Sequence, residues 1–153
     1  MRPEPETPAR RPSPRAAMPG VWGERLAWVS GLVLSVSAFT GWYSGTQVDG
    51  LTLSVIGWHT GTLGKLIFFI GLAALILEAL REAGIELPAT VPESLVLIAL
   101  GSLATIFVLI RLISIPDTYF ATAGRGIGLF ISLVSALALI AAGLMRAAEE
   151  QAN

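Results

Sequence analysis

Four long apolar blocks, separated by short polar segments, occupy most of the 153-residue chain. They are rich in Leu, Ile, Val, Ala and Phe and lie at residues 26–42, 66–77, 95–110 and 127–144. Several carry apolar residues on every face, which a water-facing helix does not do. A hydrocarbon core of about 30 Å requires roughly 20 mostly apolar residues per helix, and each block approaches this length when its polar ends reach the interface.

The blocks predict an all-α membrane protein, a bundle of four transmembrane helices. The predicted spans are residues 25–43, 62–81, 93–114 and 126–145, within a transmembrane domain over residues 22–147. The second span is the weakest, because Lys65 interrupts its start and Glu78 its end. It requires that both side chains snorkel to opposite interfaces. Gly84 is expected to end this helix, and Pro92 and Glu93 fit the first turn of the next.

The segment between the first two blocks has the pattern of a short β-hairpin. Asp49-Gly50 is a turn signal, and Leu51, Leu53 and Val55 alternate with hydroxyl residues in the period of a half-exposed strand. Two short strands alone are marginally stable, so we expect the hairpin to lie in the first outer loop and to be supported by the bundle.

The chain ends are expected to lie outside the bundle. Residues 1–21 hold six of the nine prolines and four arginines, and this composition predicts a disordered tail. Residues 148–153 are expected to form a short C-terminal tail. An alternative interpretation makes the first block a cleaved signal peptide, with small residues at 35–38 as the cleavage site. The long Pro-rich leader before Arg25 argues against it.

The distribution of basic residues predicts the orientation, because cytoplasmic loops carry the excess of Lys and Arg. With the N-terminus inside, three bases lie outside: Lys65, Arg111 and Arg125. Seven lie inside: Arg2, Arg10, Arg11, Arg15, Arg25, Arg81 and Arg146. The sequence therefore predicts a multi-pass protein of the cell (inner or plasma) membrane with both termini cytoplasmic.

The amino-acid composition excludes several kinds of functional site. The chain has no cysteine and one histidine, His59, which excludes thiol chemistry and a multi-histidine metal cluster within one chain. It has no phosphate-binding glycine loop and no nucleophile motif. Its net charge of −1 gives no basic field for nucleic acid. We therefore expect neither an enzyme nor a cofactor, metal or nucleic-acid site.

A mixed cluster of charges is predicted at the outer boundary. It comprises Lys65, Arg111, Asp117, Arg125 and Asp49. Four aromatic residues form its expected collar: Trp42, Tyr43, Trp58 and Tyr119. One interpretation is structural pairing, with Asp117 the expected partner of Arg111 and Asp49 the alternative. The other is a binding site, because charge within a membrane points to function.

Glu78 is the only acid well inside an apolar block. It lies three residues before Arg81, a spacing that allows an ion pair on one helix face. The functional alternative is a buried acid that carries protons or binds a cation.

Small and hydroxyl residues recur along the blocks. Three blocks contain pairs four residues apart: Gly31/Ser35, Gly101/Thr105 and Gly128/Ser132. The second block has Gly71 and Ala74. An inward face is expected to carry Ser35, Ser102, Thr105, Ser132 and Ser135. Such a face is typical of close helix packing, and a polar pathway is the alternative.

Four short sequence motifs follow one another along the chain. They are Gly41-Trp42-Tyr43, Gly57-Trp58, Leu109-Ile110-Arg111-Leu112 with Pro116, and Gly124-Arg125-Gly126-Ile127-Gly128. Over residues 22–147 the chain resembles small four-span membrane proteins common in actinobacteria. The resemblance implies a fold and a compartment and gives no mechanism.

The leading hypothesis is a non-catalytic accessory or scaffolding component of a membrane assembly. Its expected partners are the lipid bilayer and either a second copy of the chain or another membrane protein. The alternative is a small transporter or channel in which Lys65, Arg111 and Arg125 attract an anion at an outer mouth.

Overall fold

A computed structural model describes residues 14–46, 49–114 and 123–152, with side chains except at positions 14–20, 46, 52 and 123. The helices are α1 (Pro14–Ser37), α2 (Thr62–Glu82), α3 (Glu93–Ile113) and α4 (Ile127–Ala152). The strands are β1 (Gly41–Thr46), β2 (Thr52–Ile56) and β3 (Ala123–Arg125), and a 3-10 turn covers Gly57–His59. Three helices, α2, α3 and α4, are long and apolar enough to cross a membrane.

The predicted ends of the central helices are confirmed. Gly84 has a φ of +77°, the left-handed conformation that favours glycine after a helix. Its N–H donates to the carbonyl of Arg81 at 3.0 Å. Pro92 lies at the N-cap of α3, and Glu93 places an acid in the first turn, where the helix dipole favours it.

The four helices pack as a bundle. α4 contacts α1 on one side and α3 on the other, and α2 also contacts both α1 and α3. α1 leads into β1 and α2 follows β2, so the strands lie at one end of the bundle, which we call the sheet end. The opposite end, where residues 83–92 connect α2 to α3, is the connection end.

Small residues bring the helices close together. A Cβ at Gly71 would lie 2.7 Å from the main-chain nitrogen of Ser35 in α1. A Cβ at Gly101 would lie 2.8 Å from the main-chain nitrogen of Ile140 in α4, and one at Gly143 would lie 2.9 Å from the Ser94 carbonyl oxygen. Larger residues at these glycines would therefore force the backbones apart.

Four of the five hydroxyl groups of the expected inward face donate to carbonyls within the bundle, and the fifth residue, Ser102, is half-buried in α3. The Ser35 hydroxyl donates to the Gly31 carbonyl at 3.0 Å, and the Ser132 hydroxyl donates to the Gly128 carbonyl at 2.8 Å. Thr105 and Ser135 likewise donate to carbonyls one turn earlier on their own helices. These bonds support the packing interpretation of the small-residue pairs.

The predicted hairpin is confirmed and is part of a larger sheet. β1 pairs antiparallel with β2 and with β3, in the order β2-β1-β3. Gly50 has a φ of +79° at the turn. β3 was not predicted, because three residues are too few to show an alternating pattern.

The predicted end of the first span is wrong. α1 ends at Ser37, and Trp42 and Tyr43 lie in β1 rather than in the last turn of a span reaching residue 43. Their exposed fractions are 0% and 1%, so they belong to the core and not to an interfacial collar. Two glycines leave the space that the Trp42 ring occupies. A Cβ at Gly57 would lie 2.6 Å from Trp42 Nε1, and one at Gly128 would lie 2.9 Å from Trp42 Cδ1.

The helices also extend further towards both chain ends than the predicted domain boundaries. α1 begins at Pro14, within the segment 1–21 for which the composition predicts disorder, and Pro suits the first turn of a helix. α4 continues to Ala152, because Ala, Glu and Gln after Arg146 are good helix formers. Residues 148–152 of the predicted C-terminal tail are thus helical. Residues 1–13 lie outside the described part of the chain.

Candidate functional site

Arg111 joins the end of α3 to the sheet end. Its Nη2 donates to the Thr60 carbonyl at 2.5 Å, and the Tyr43 hydroxyl donates to the Arg111 carbonyl at 2.8 Å. Nε of Arg111 is buried and has no hydrogen-bond partner among the described residues. Arg111 therefore connects three segments that are far apart in the sequence.

The other predicted members of the outer cluster are distributed around the same end. Arg125 Nε donates to the Leu112 carbonyl at 2.5 Å, and Lys65 Nζ lies 5.8 Å from the centre of the Trp58 ring. Asp49 is exposed at the hairpin turn and makes no ion pair with Arg111, so the alternative pairing is not formed. Asp117 and the collar residue Tyr119 lie outside the described residues.

Burial shapes the chemistry of Tyr43. Removal from water raises the pKa of the Tyr43 hydroxyl, and the positive charges of Arg111 and Arg125 oppose this shift. The group therefore remains a neutral donor to the Arg111 carbonyl at physiological pH. The sheet end is held by hydrogen bonds to main-chain carbonyls rather than by described carboxylates.

The Trp58 ring, which Lys65 approaches, belongs to an aromatic cluster. The Trp58 ring stacks on Phe39 with centroids 5.4 Å apart and meets the edge of Phe68 at the same distance. Trp58 was predicted as part of an interfacial collar, but its ring contacts link the end of α1 to α2. The spacing of these residues in the sequence does not indicate the contact.

Glu78 forms a buried ion pair with Arg146, a partner that the sequence did not predict. Arg146 Nη2 of α4 lies 2.5 Å from Glu78 Oε2, and the two side chains are 4% and 1% exposed. The predicted Glu78–Arg81 pair is therefore wrong. Arg81 is 40% exposed and lies 3.7 Å from Glu93 instead. Arg146 is the only basic residue in α4, and this is the one feature of the sequence that could have identified it as the partner of Glu78.

Further contacts extend this pair into a network at the connection end. Arg146 Nη1 lies 3.7 Å from Glu93 Oε2, so Glu93 lies between the two arginines. The Ser94 hydroxyl donates to Glu150 Oε2 at 2.7 Å. These contacts join α2, α3 and α4. We call their charged residues the connection-end network: Glu78, Arg81, Glu93, Arg146 and Glu150.

The network borders a polar cavity of about 150 Å³, which we call the connection-end cavity. Its lining residues are Arg81, Glu93, Arg146, Glu149 and Glu150. Arg146 Nε and Nη1 are buried without a hydrogen-bond partner among the described residues, and so is Glu149 Oε1. The cavity thus places unpaired donors and an unpaired acceptor close to one another.

The described residues contain no group of three or more His, Cys, Asp or Glu side chains that could hold a metal ion. The carboxylates of the cavity are spread over α3 and α4 and are partly engaged by arginines and Ser94. The cavity offers unpaired donors and an unpaired acceptor to a small polar group.

A second, apolar groove lies on the outer surface between α1 and α4. It has a volume of about 290 Å³ and is lined by Val33, Phe130, Ile131, Val134 and Ser135. Phe130 and Val134 are 48% and 66% exposed. Exposed apolar side chains of this kind are typical of a surface that faces lipid or a neighbouring helix.

No protein-family model, curated protein or solved structure matches this chain. The features that bear on function are the two polar ends of the bundle and its apolar outer surface.

Proposed function

We propose that the chain is a four-span, non-catalytic component of a membrane assembly, with α1 as the fourth span and both termini on the cytoplasmic side of the cell membrane. α1 has 24 residues, which at about 1.5 Å per residue is long enough to cross a hydrocarbon core of about 30 Å. Its outward side chains include Val29, Leu32 and Val36, each more than half exposed. A lipid environment would cover them.

The observation that carries the proposal is the contrast between the interior and the outer surface. Inside, Glu78 of α2 is paired with Arg146 of α4, and the Ser132 hydroxyl of α4 donates to the Ser37 hydroxyl of α1 at 2.7 Å. The interior polar groups therefore act in holding the helices together. Outside, the apolar groove beside Val134 is open, which supports a role in lateral contact with another membrane helix.

An anion transporter or channel is the second candidate. The buried Nε of Arg111, without a partner among the described residues, is the observation in its favour. Against it, Arg111 and Arg125 donate to the carbonyls of Thr60 and Leu112, which fixes the connections at the sheet end.

Substitutions on two lipid-facing surfaces test the proposal. Val134→Trp fills the α1–α4 groove, whereas Ile106→Trp adds the same bulk to an exposed position of α3. After purification in mild detergent, we expect Val134→Trp to lose the protein or second copy that co-purifies with the wild type. Ile106→Trp should retain it, and both variants should keep the wild-type melting temperature.

The transporter alternative makes a different prediction. It requires anion flux in proteoliposomes that hold this chain alone, and Arg111→Gln should abolish that flux. Such flux, together with a monomer that binds no other protein, would contradict the proposed scaffolding role.

A further inference from the structure

The connection-end cavity combines opposite charges from three helices. Arg81 belongs to the last turn of α2, Glu93 to the first turn of α3, and Arg146, Glu149 and Glu150 to the last turns of α4. All five side chains therefore lie where the helices end. In a membrane-spanning bundle this is the depth of the lipid headgroups.

The hydrogen-bond donors of Arg146 are only partly satisfied by its neighbours. Its side chain is 4% exposed, and Glu78 accepts a hydrogen bond from Nη2 alone. Nη1 is 3.7 Å from Glu93, too far for a hydrogen bond, and Nε also has no partner in the described part of the chain. Because burying unpaired donors of a charged group is unfavourable, these atoms favour an acceptor within the cavity.

Glu149, in contrast to Arg146, has an acceptor atom without a hydrogen-bond donor among the residues that the structure describes. Its Oε1 is buried without a donor from any described residue. Glu150 is exposed, and in the described part of the chain only one of its oxygens is engaged, by the hydroxyl of Ser94. The α4 side of the cavity therefore favours a donor that carries positive charge.

The charge balance favours neither a lone anion nor a lone cation. Two guanidinium groups, Arg81 and Arg146, are close to four carboxylates: Glu78, Glu93, Glu149 and Glu150. A lone anion would be repelled by this excess of carboxylates, and a lone cation would leave the donors of Arg146 unpaired. A zwitterion satisfies both sets of atoms.

We propose that the connection-end cavity binds a zwitterion that carries a phosphate and a primary ammonium group. The phosphate accepts hydrogen bonds from Arg146 and Arg81, because guanidinium groups match phosphate oxygens. The ammonium donates to Glu149 and Glu150. At about 150 Å³ the cavity is smaller than the roughly 300–1,000 Å³ of drug-sized pockets, which suits a headgroup-sized ligand.

Two sources carry this chemistry: the headgroup of phosphatidylethanolamine and free phosphoethanolamine. The lipid source rests on the proposed membrane placement, whereas the zwitterion chemistry does not. Phosphatidylcholine is the matched probe, because it has the same phosphate and its quaternary ammonium has no N–H to donate to the carboxylates.

The test compares the melting temperature of the full chain in nanodiscs of phosphatidylcholine with and without phosphatidylethanolamine. We expect phosphatidylethanolamine to raise the melting temperature by a few degrees. Glu149→Gln removes the charge that receives the ammonium, so it should abolish this rise. Glu86→Gln is the control, since Glu86 is an exposed acid at the same end that does not line the cavity.

The outcomes separate the possibilities. An equal melting temperature in both lipid compositions, together with no rise from soluble phosphoethanolamine in detergent, would overturn the proposal. A rise that persists in Glu149→Gln would also overturn it, because a general effect of the bilayer does not depend on Glu149. If Glu149→Gln does not fold, Arg81→Gln serves instead, since Arg81 is 40% exposed. A rise with soluble phosphoethanolamine in detergent supports the zwitterion site and assigns the free source. That result would hold even if the proposed topology failed.

Discussion

At the scale of single residues, Arg146 determines how the bundle tolerates a buried acid. Glu78 and Arg146 are 68 positions apart in the sequence, and both are almost fully buried. The apolar pattern indicated that Glu78 needs a partner, because a buried charge is paired in folded proteins. It did not identify the partner, since that depends on which faces of α2 and α4 meet.

Removing one member of this pair should destabilise the protein strongly. Arg146→Leu leaves the Glu78 carboxylate without compensation, and breaking a buried pair in this way typically costs about 3–5 kcal/mol of unfolding free energy. Denaturation in detergent measures the loss. The control is Arg25→Leu, which removes an exposed base near the same end and should have little effect. Equal effects of the two substitutions would contradict the buried pairing.

The packing around Trp42 leaves no space for a side chain at Gly128. A Cβ at Gly128 would lie 2.8 Å from the Gly41 carbonyl oxygen and 2.9 Å from Trp42 Cδ1. Gly128→Ala should therefore lower stability by about 1–3 kcal/mol, as is usual when a packed site is overfilled. Gly124→Ala is the matched control, because its Cβ would be 3.5 Å from the nearest atom, the Ser44 carbonyl oxygen. A melting temperature for Gly128→Ala equal to that of Gly124→Ala would contradict this packing.

At the scale of elements, the sequence predicted the central helices well and the polar connections less well. Long apolar runs and the signals at Gly84 and Pro92 gave the spans of α2 and α3 almost to the residue. The end of α1 was missed because Trp42 and Tyr43 continue an apolar run in sequence. Their burial comes from contacts with Gly57 and Gly128, which are distant in the chain.

The bond between Tyr43 and Arg111 couples β1 to α3. Tyr43→Phe removes the donor and should cost about 0.5–1.5 kcal/mol of unfolding free energy, the usual value for one hydrogen bond. Chemical denaturation near neutral pH measures this difference. No loss of stability in Tyr43→Phe would show that the bond does not hold the sheet to the helix.

The same residue predicts a dependence on alkaline pH. Burial raises the pKa of Tyr43 above its unfolded value of about 10, so its contribution to stability is complete below that value and is lost as the pH rises through the folded pKa. Arg111 and Arg125 are the charged groups near the hydroxyl. Stability measured above pH 10 or so should fall less steeply in Tyr43→Phe than in the wild type, and identical slopes would be inconsistent with a buried phenol.

At the scale of the whole molecule, the two ends of the bundle differ in chemistry. The sheet end carries Lys65, Arg111 and Arg125, which contact an aromatic ring or main-chain carbonyls. The connection end carries acids and arginines around a cavity. The sequence placed most of these charges at the correct ends through the positions of the apolar blocks. It did not predict the connection-end cavity, which forms only when α2, α3 and α4 pack together.

The most direct test of the four-span proposal is the side of the membrane on which the segment before α1 lies. The chain has no cysteine, so single cysteines can be introduced as Leu51→Cys at the hairpin, Ala9→Cys before α1 and Gln151→Cys near the end of α4. Intact cells are treated with a membrane-impermeant thiol reagent. Four spans with both termini cytoplasmic predict labelling of Leu51→Cys alone, and labelling of the other two only after permeabilisation. Labelling of Ala9→Cys together with Leu51→Cys in intact cells would show that α1 does not cross the membrane and would contradict the account.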